Sequence, residues 1–219
     1  MSIRASATRS PTASRAWYRD RVADDASLLL AWRNGDRNSG EALLDRHFKA
    51  LSRFFRNKAS DGIDDLVQAT MLALLESPER YRGEGSFRSF VFGIAYNVLR
   101  EHYRAGARAL DPSTDSACDQ APGPSQAYAE KAEQRLLLEG LRQIPLEHQT
   151  LLELYYWEAM TGPDIAAVLG VPVGTIRTRI RRARSLVEAA MRSVAADARI
   201  LESTVTDLDA WARSIRGQA

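Results

Sequence analysis

Gly170 and Pro172 stand between two helical patterns, and no single helix can run through them. Glycine takes the left-handed conformation that ends a helix, and a proline two residues on cannot continue it. Upstream, Thr161 can cap a short helix with Pro163 and Asp164 in its opening turn, where a missing N–H and a negative charge are favourable. Ile165, Ala166 and Leu169 form its inner stripe. Downstream, a second helix opens around Gly174–Thr175, and Ile176, Ile180, Ala183 and Val187 recur at helical spacing. Arg177, Thr178, Arg181, Arg182 and Arg184 are left largely on other faces. This is the pattern of a helix-turn-helix whose second helix suits a DNA major groove. A plain helical hairpin with a solvated basic face is the competing reading of this segment alone.

At 219 residues the chain can hold one or two small domains with cores of their own. Its 30 basic and 28 acidic residues leave a net charge of only +2, so total charge is no argument for nucleic acid. The distribution says more. Residues 173–184 carry five arginines and no acid, whereas Ile63–Glu76 carries Asp64, Asp65 and Glu76 and no base. Cys118 is the single cysteine, which excludes an internal disulfide and a thiolate metal site. His47, His102 and His148 lack metal-ligand spacing, and no cofactor motif stands out. With neither clustered acids nor a nucleophile beside a base, no catalytic residue is expected. No apolar run approaches the length of a membrane span, so membrane insertion is not expected.

Periodicity predicts an all-α chain with two small helical domains on a flexible linker. Residues 1–23 have five arginines against Asp20 alone and many Ser, Thr and Ala; they resemble a transit peptide in composition but read as a disordered basic tail. The first block spans 24–107. It opens with a short helix holding Leu28–Leu30 and Trp32, followed by a long one with Asn38 and Glu41 at capping-box spacing. Leu44, Phe48, Leu51 and Phe55 mark the inner stripe of that long helix. A third helix begins at Asp64 and Asp65 and ends before Pro78; a Tyr81–Ser86 loop with Gly83 and Gly85 leads into a fourth, Phe87–Arg104. Phe87, Phe90, Val91, Ile94 and Val98 form the apolar side of that helix, with Arg88, Asn97, Arg100 and Arg104 opposite. Residues 108–128, rich in Pro, Ser, Asp and Gly, read as the linker. The second block, 129–191, adds helices near 129–143 and 146–158 before the helix-turn-helix.

Two segments, IDDLVQATMLALLESPERYRGEGSFRSFVFGIAYNVLREHYR and IPLEHQTLLELYYWEAMTGPDIAAVLGVPVGTIRTRIRRAR, together resemble the extracytoplasmic-function (ECF) group of bacterial RNA polymerase sigma factors. Neither run is specific alone; both, in this order across a linker, are. The resemblance implies a cytoplasmic bacterial subunit that binds core RNA polymerase and promoter DNA, with an anti-sigma factor as a further partner. It implies polymerase docking by Asp64, Asp65 and Gln68, where acids also suit a helix N-terminus. Tyr81, Arg82, Arg88, Asn97, Arg100 and Arg104 become candidates for the melted −10 element, where a flipped base and its phosphates are held. Thr175, Arg177, Thr178, Arg181 and Arg182 become candidates for the −35 duplex, Thr175 as a cap or phosphate donor. The linker acids Asp111, Asp115 and Asp119 resemble the family's segment that threads the polymerase.

The competing reading is a two-domain regulator that binds duplex DNA without joining the polymerase. It requires a ligand pocket or phosphoacceptor in the first block, and no such pattern is present. Beyond 191 the chain continues with Val194, Ala198, Leu201, Val205, Leu208, Ala212 and Ile215 in steps of four and three. These predict a C-terminal amphipathic helix over 192–219 that packs on its own domain or serves as a regulatory element.

Overall fold

A computed structural model describes residues 25–59, 61–76, 81–83, 85–110, 132–195 and 198–206. The basic tail, most of the linker with its three acids, and the Leu208, Ala212 and Ile215 end of the C-terminal seam lie outside the described residues. Those described form helices and no strand, in line with the all-α expectation.

The first domain comprises α1 (25–33), α2 (Arg37–Arg56), α3 (Ile63–Leu75) and α4 (Phe87–Leu110). Asp25 ties α1 to α2: its carboxylate lies 2.9 Å from Arg46 Nη1 and 3.0 Å from His47 Nε2. Burial alone would push the Asp25 pKa up, but hydrogen bonds and charge from His47 and Arg46 outweigh that and hold it below the usual value. The cap of α2 is Asp36, not Asn38; Asp36 Oδ1 accepts from the Asn38 N–H at 3.0 Å. The buried stripe of α2 is also rotated from the expected one. Leu43, His47, Ala50 and Phe54 face inward with Leu51 and Phe55, and Phe48 turns outward, 49% exposed. The reason is tertiary: α3 and α4 both pack on that side. In α4 the inward residues are Phe87, Val91, Phe92, Ala95, Tyr96 and Leu99. The helix continues to Leu110, past the expected end at Arg104 and the linker boundary after Ala107.

The second domain comprises α5 (Ala132–Arg142), α6 (Leu146–Tyr156), α7 (Gly162–Leu169), α8 (Ile176–Val194) and α9 (Ala198–Thr206). The helix-turn-helix forms as its local signals dictate. Thr161 Oγ1 accepts the Asp164 N–H at 3.4 Å, and Gly170 takes φ 67° at the C-terminus of α7. A 3-10 turn, Val173–Thr175, leads into α8, whose Ile176, Ala183, Val187 and Met191 are buried. The C-terminal extension folds back: α9 packs on α5, with Leu201 and Val205 against the core and Thr204 fully buried.

The two domains are in contact. Helix α4 lies against α7, and polar side chains from α6 and α7 reach into the first domain.

Candidate nucleic-acid interface

Three faces carry the residues singled out by the sequence. On α3, Asp64, Asp65 and Gln68 are exposed, while Leu66, Val67 and Thr70 are buried. Leu72 and Leu75 extend the outward stripe in steps of four and three from Gln68 and are 49% and 51% exposed. The result is an acidic patch continuous with an apolar one, a combination suited to a protein partner.

The second face is built by the loop before α4. The Tyr81 hydroxyl donates to the Gly85 carbonyl at 2.6 Å, and its ring stands edge-on to Phe87 at 5.7 Å and tilted to Phe90 at 5.6 Å. Arg33 on α1 donates to the Tyr81 carbonyl and lies over the same ring at 5.8 Å. Gly85 adopts φ 82°, and a Cβ there would meet Ser89 Oγ at 2.9 Å, so the loop needs glycine twice over. Tyr81, Arg82, Phe90, Gly93 and Asn97 line a cleft of about 290 Å³ that Ala167 of α7 walls on one side. Phe90 therefore turns its ring to the cleft as well as to the core. Arg82, Asn97, Arg100 and Arg104 are exposed, with the Arg100 guanidinium 5.6 Å over the Tyr96 ring.

Arg88 differs from the outward position that helical periodicity assigns it. It is only 3% exposed, and its guanidinium pairs with Glu158 in the turn after α6. Arg53 of α2 pairs with the other oxygen of the same carboxylate. Lys58 pairs with Glu153 of α6, and both are buried, at 0% and 2% exposed. Burial pushes the Glu153 carboxyl up and the Lys58 ammonium down in pKa, each partly offset by the other's charge. Burial and the Glu153 charge also push the nearby Tyr103 hydroxyl up to about 12. Asp164, at the start of α7, accepts from Ser86 N at 3.0 Å and from Ser86 Oγ at 2.8 Å. None of these interdomain partners was recognisable as such. For Glu153 and Glu158 the one local signal is their place inside the apolar run LLELYYWEAM.

The third face is α8. Arg177, Thr178, Arg181 and Arg182 are exposed along it. Thr175 stands at the N-cap position of α8 without a side-chain capping bond; its hydroxyl donates to the Pro172 carbonyl at 2.7 Å and stabilises the turn. Arg179 pairs with Glu147 of α6, which accounts for it as a structural residue. His148 has its pKa lowered by burial and then by the Arg182 charge. Among the described residues no group of His, Cys, Asp and Glu is arranged to hold a metal ion, and no helix is long and apolar enough to cross a membrane.

Residues 41–109 match the model of Sigma-70 region 2 and residues 134–187 that of Sigma-70, region 4, together more than half of the chain. The ECF RNA polymerase sigma-E factor of Haemophilus influenzae is 26% identical over 177 residues, covering 75% of this chain and 93% of the relative. RNA polymerase sigma factor NccH of Alcaligenes xylosoxydans is 26% identical over 180 residues, covering 77% and 95%. The sigma-E factor of Escherichia coli K12 is 28% identical over 177 residues, covering 75% and 92%. Among solved structures, CnrH in complex with the cytosolic domain of CnrY shares the fold with a TM-score of 0.59 and 24% identity, over 78% of this chain and 99% of that one. The sigma factor RpoE with the anti-sigma factor NepR from Bartonella quintana gives 0.55 and 19%, over 73% and 99%. With region 2 and region 4 matched in order, on two helical domains of which the second carries an exposed recognition helix, the chain belongs to the ECF group of RNA polymerase sigma factors.

Proposed function

We propose that this chain binds core RNA polymerase in the bacterial cytoplasm and directs it to promoters, where it recognises the −10 and −35 elements and nucleates melting. The observation that carries this reading is the pairing of region 2 and region 4 in one chain, each with an exposed, chemically distinct face. The chain is a non-enzymatic subunit, and the polymerase supplies the chemistry. Asp64, Asp65 and Gln68 dock on the polymerase, with acids available to pair with its arginines. Tyr81, Arg82, Asn97, Arg100 and Arg104, joined by Arg88 once its partner is removed, hold the melted −10 strand by stacking and phosphate contacts. Arg177, Thr178, Arg181 and Arg182 read the −35 duplex from the major groove. An anti-sigma factor is the partner that keeps the chain from the polymerase.

Gel filtration of the purified full chain with bacterial core RNA polymerase tests this reading. The wild type is expected to co-elute and Asp65→Arg to elute alone with unchanged helicity. Separate elution of the wild type would overturn it in favour of a free-standing DNA-binding regulator.

A further inference from the structure

Helix α1 lies ahead of residues 41–109, the stretch that matches region 2, yet three of its side chains fasten it to the first domain. Asp25 is 1% exposed and bonded to Arg46 and His47, and Leu29 is buried. The Trp32 indole lies so close over Gly40 that a Cβ there would meet ring atoms at 2.7–2.8 Å. Positions 25, 29 and 32 share one face of a helix, so the rotation of α1 about its own axis is fixed. Arg33, next to Trp32, falls at the edge of that face and reaches across to the loop before α4. Its guanidinium donates to the Tyr81 carbonyl and lies 5.8 Å over the Tyr81 ring. It thus holds the backbone and the side chain of one residue, by a charge-assisted bond and a cation–π contact.

That loop needs an anchor from outside. Gly83 and Gly85 both take positive φ, at 80° and 82°, and glycine has more backbone freedom to lose than any other residue. The downstream end is fixed locally: Ser86 Oγ accepts the Ser89 N–H at 3.1 Å, and the Ser89 hydroxyl donates to the Ser86 carbonyl at 2.7 Å. At the upstream end Arg33 plays that part from another helix. Tyr81 lines the cleft with Phe90 and Asn97, so the pose of its ring sets the shape offered to a base. We propose that Arg33 is a positioning residue for promoter opening: seated by α1, it presets Tyr81 so that an unpaired −10 base meets a ready-made stacking surface. Ordering completed before binding does not have to be supplied during it. The inference rests on the assignment of this loop to melted DNA, and it adds a residue outside the region 2 match.

The test uses holoenzyme reconstituted from the full chain and bacterial core RNA polymerase. Its probe is a promoter duplex selected from random-sequence DNA by the wild-type holoenzyme, with 2-aminopurine placed in the −10 element. Closed-complex affinity is measured at low temperature, and opening is timed on warming by the rise in 2-aminopurine fluorescence. Arg33→Met removes the donor and the charge but keeps the aliphatic stem, and the exposure of Arg33 leaves the core untouched. Closed-complex affinity is expected to stay within about twofold, as for surface substitutions generally. Opening is expected to slow by about tenfold, the ratio that one hydrogen bond from a charged donor commonly supplies. In a Tyr81→Ala background the same substitution is expected to cost less than about twofold further, because a residue that acts through Tyr81 has nothing left to place. Gly40→Ala leaves Arg33 in the chain but pushes Trp32 off its seat, and is expected to slow opening in the same way.

If circular dichroism shows that Gly40→Ala is unfolded, Trp32→Leu, which loosens the same seat, replaces it. Opening at the wild-type rate in Arg33→Met or in the folded seat variant, equal loss of closed-complex affinity and opening rate, or full additivity with Tyr81→Ala would each overturn the positioning role. So would a salt slope of open-complex affinity reduced by about 0.7, the mark of one lost phosphate contact on a single strand; a residue that only places Tyr81 leaves that slope unchanged. Wild-type holoenzyme that selects and opens promoter DNA establishes the function independently of Arg33, so a silent Arg33→Met then strikes the positioning role alone. A wild-type chain that never joins core polymerase strikes the function, and this inference with it.

Discussion

The Arg88 guanidinium on α4 and the Glu158 carboxylate after α6 form an ion pair buried between the two domains, each at 3% exposure. Arg53 shares the same carboxylate from α2. One acid from the second domain thus holds two helices of the first. Desolvating these groups costs several kcal/mol per ion in general, repaid only when geometry and additional hydrogen bonds are good. A contact so composed selects one arrangement of the domains, because only in that arrangement is each buried charge compensated.

Gly85→Ala is expected to disturb the loop that faces the −10 cleft. The new Cβ would meet Ser89 Oγ at 2.9 Å, with Asp164 Oδ1 at 3.6 Å, on a backbone at φ 82°. The left-handed conformation alone costs an L-residue roughly 1–2 kcal/mol. Thermal unfolding should record a lower midpoint, and promoter opening, read by reactivity of unpaired thymines, should fall further than polymerase binding does.

Leu72→Ser and Leu75→Ser should separate docking from folding. Both side chains are about half exposed on the α3 face that carries Asp65 and Gln68. Surface substitutions of this kind change stability by within about 0.5 kcal/mol. Truncation at the centre of a protein interface commonly costs above about 1 kcal/mol. Calorimetric titration against core polymerase should therefore weaken by about fivefold or more, with the unfolding midpoint unmoved; equal affinity would exclude these leucines from the docking face.

Arg177→Ala and Arg181→Ala are expected to weaken −35 recognition without touching polymerase association. A bidentate arginine–guanine contact contributes roughly 1–3 kcal/mol of discrimination. Removing an arginine that neutralises a phosphate lowers affinity evenly across sequences and reduces the salt slope by about 0.9 for each phosphate released. Holoenzyme binding to wild-type and mismatched promoters at several salt concentrations assigns each arginine to one role or the other.

The second domain should lose stability as solutions become mildly acidic. His148 has a folded pKa below its usual 6.5, through burial first and the Arg182 charge second. The unfolded chain therefore takes up that proton at higher pH than the folded one. The contribution is complete above 6.5 and is lost as pH falls through the folded value. Glu153, raised by burial, acts in the opposite sense. The comparison is accordingly made with His148→Gln, whose urea midpoint should fall less than the wild type's between about pH 8 and 5. Arg182→Ala should raise the His148 pKa in a proton NMR titration.

Several elements follow from spacing along the chain. Thr161, Pro163, Asp164 and Gly170 delimit α7, and the stripe from Ile176 to Val187 sets the inward side of α8, because caps, a left-handed C-terminus and helical periodicity act over a few residues. The exposure of Asp64, Asp65 and Gln68 follows from the burial of Leu66 and Val67 on the same helix. Other features had no local signature. Phe48 faces outward because α3 and α4 chose the adjacent side of α2. Arg88 is buried because Glu158, far along the chain, arrives to neutralise it. Helical spacing says which side of an element a residue occupies, but a charge can be buried only when a distant partner compensates it, and that pairing is decided by the packing of one domain on the other.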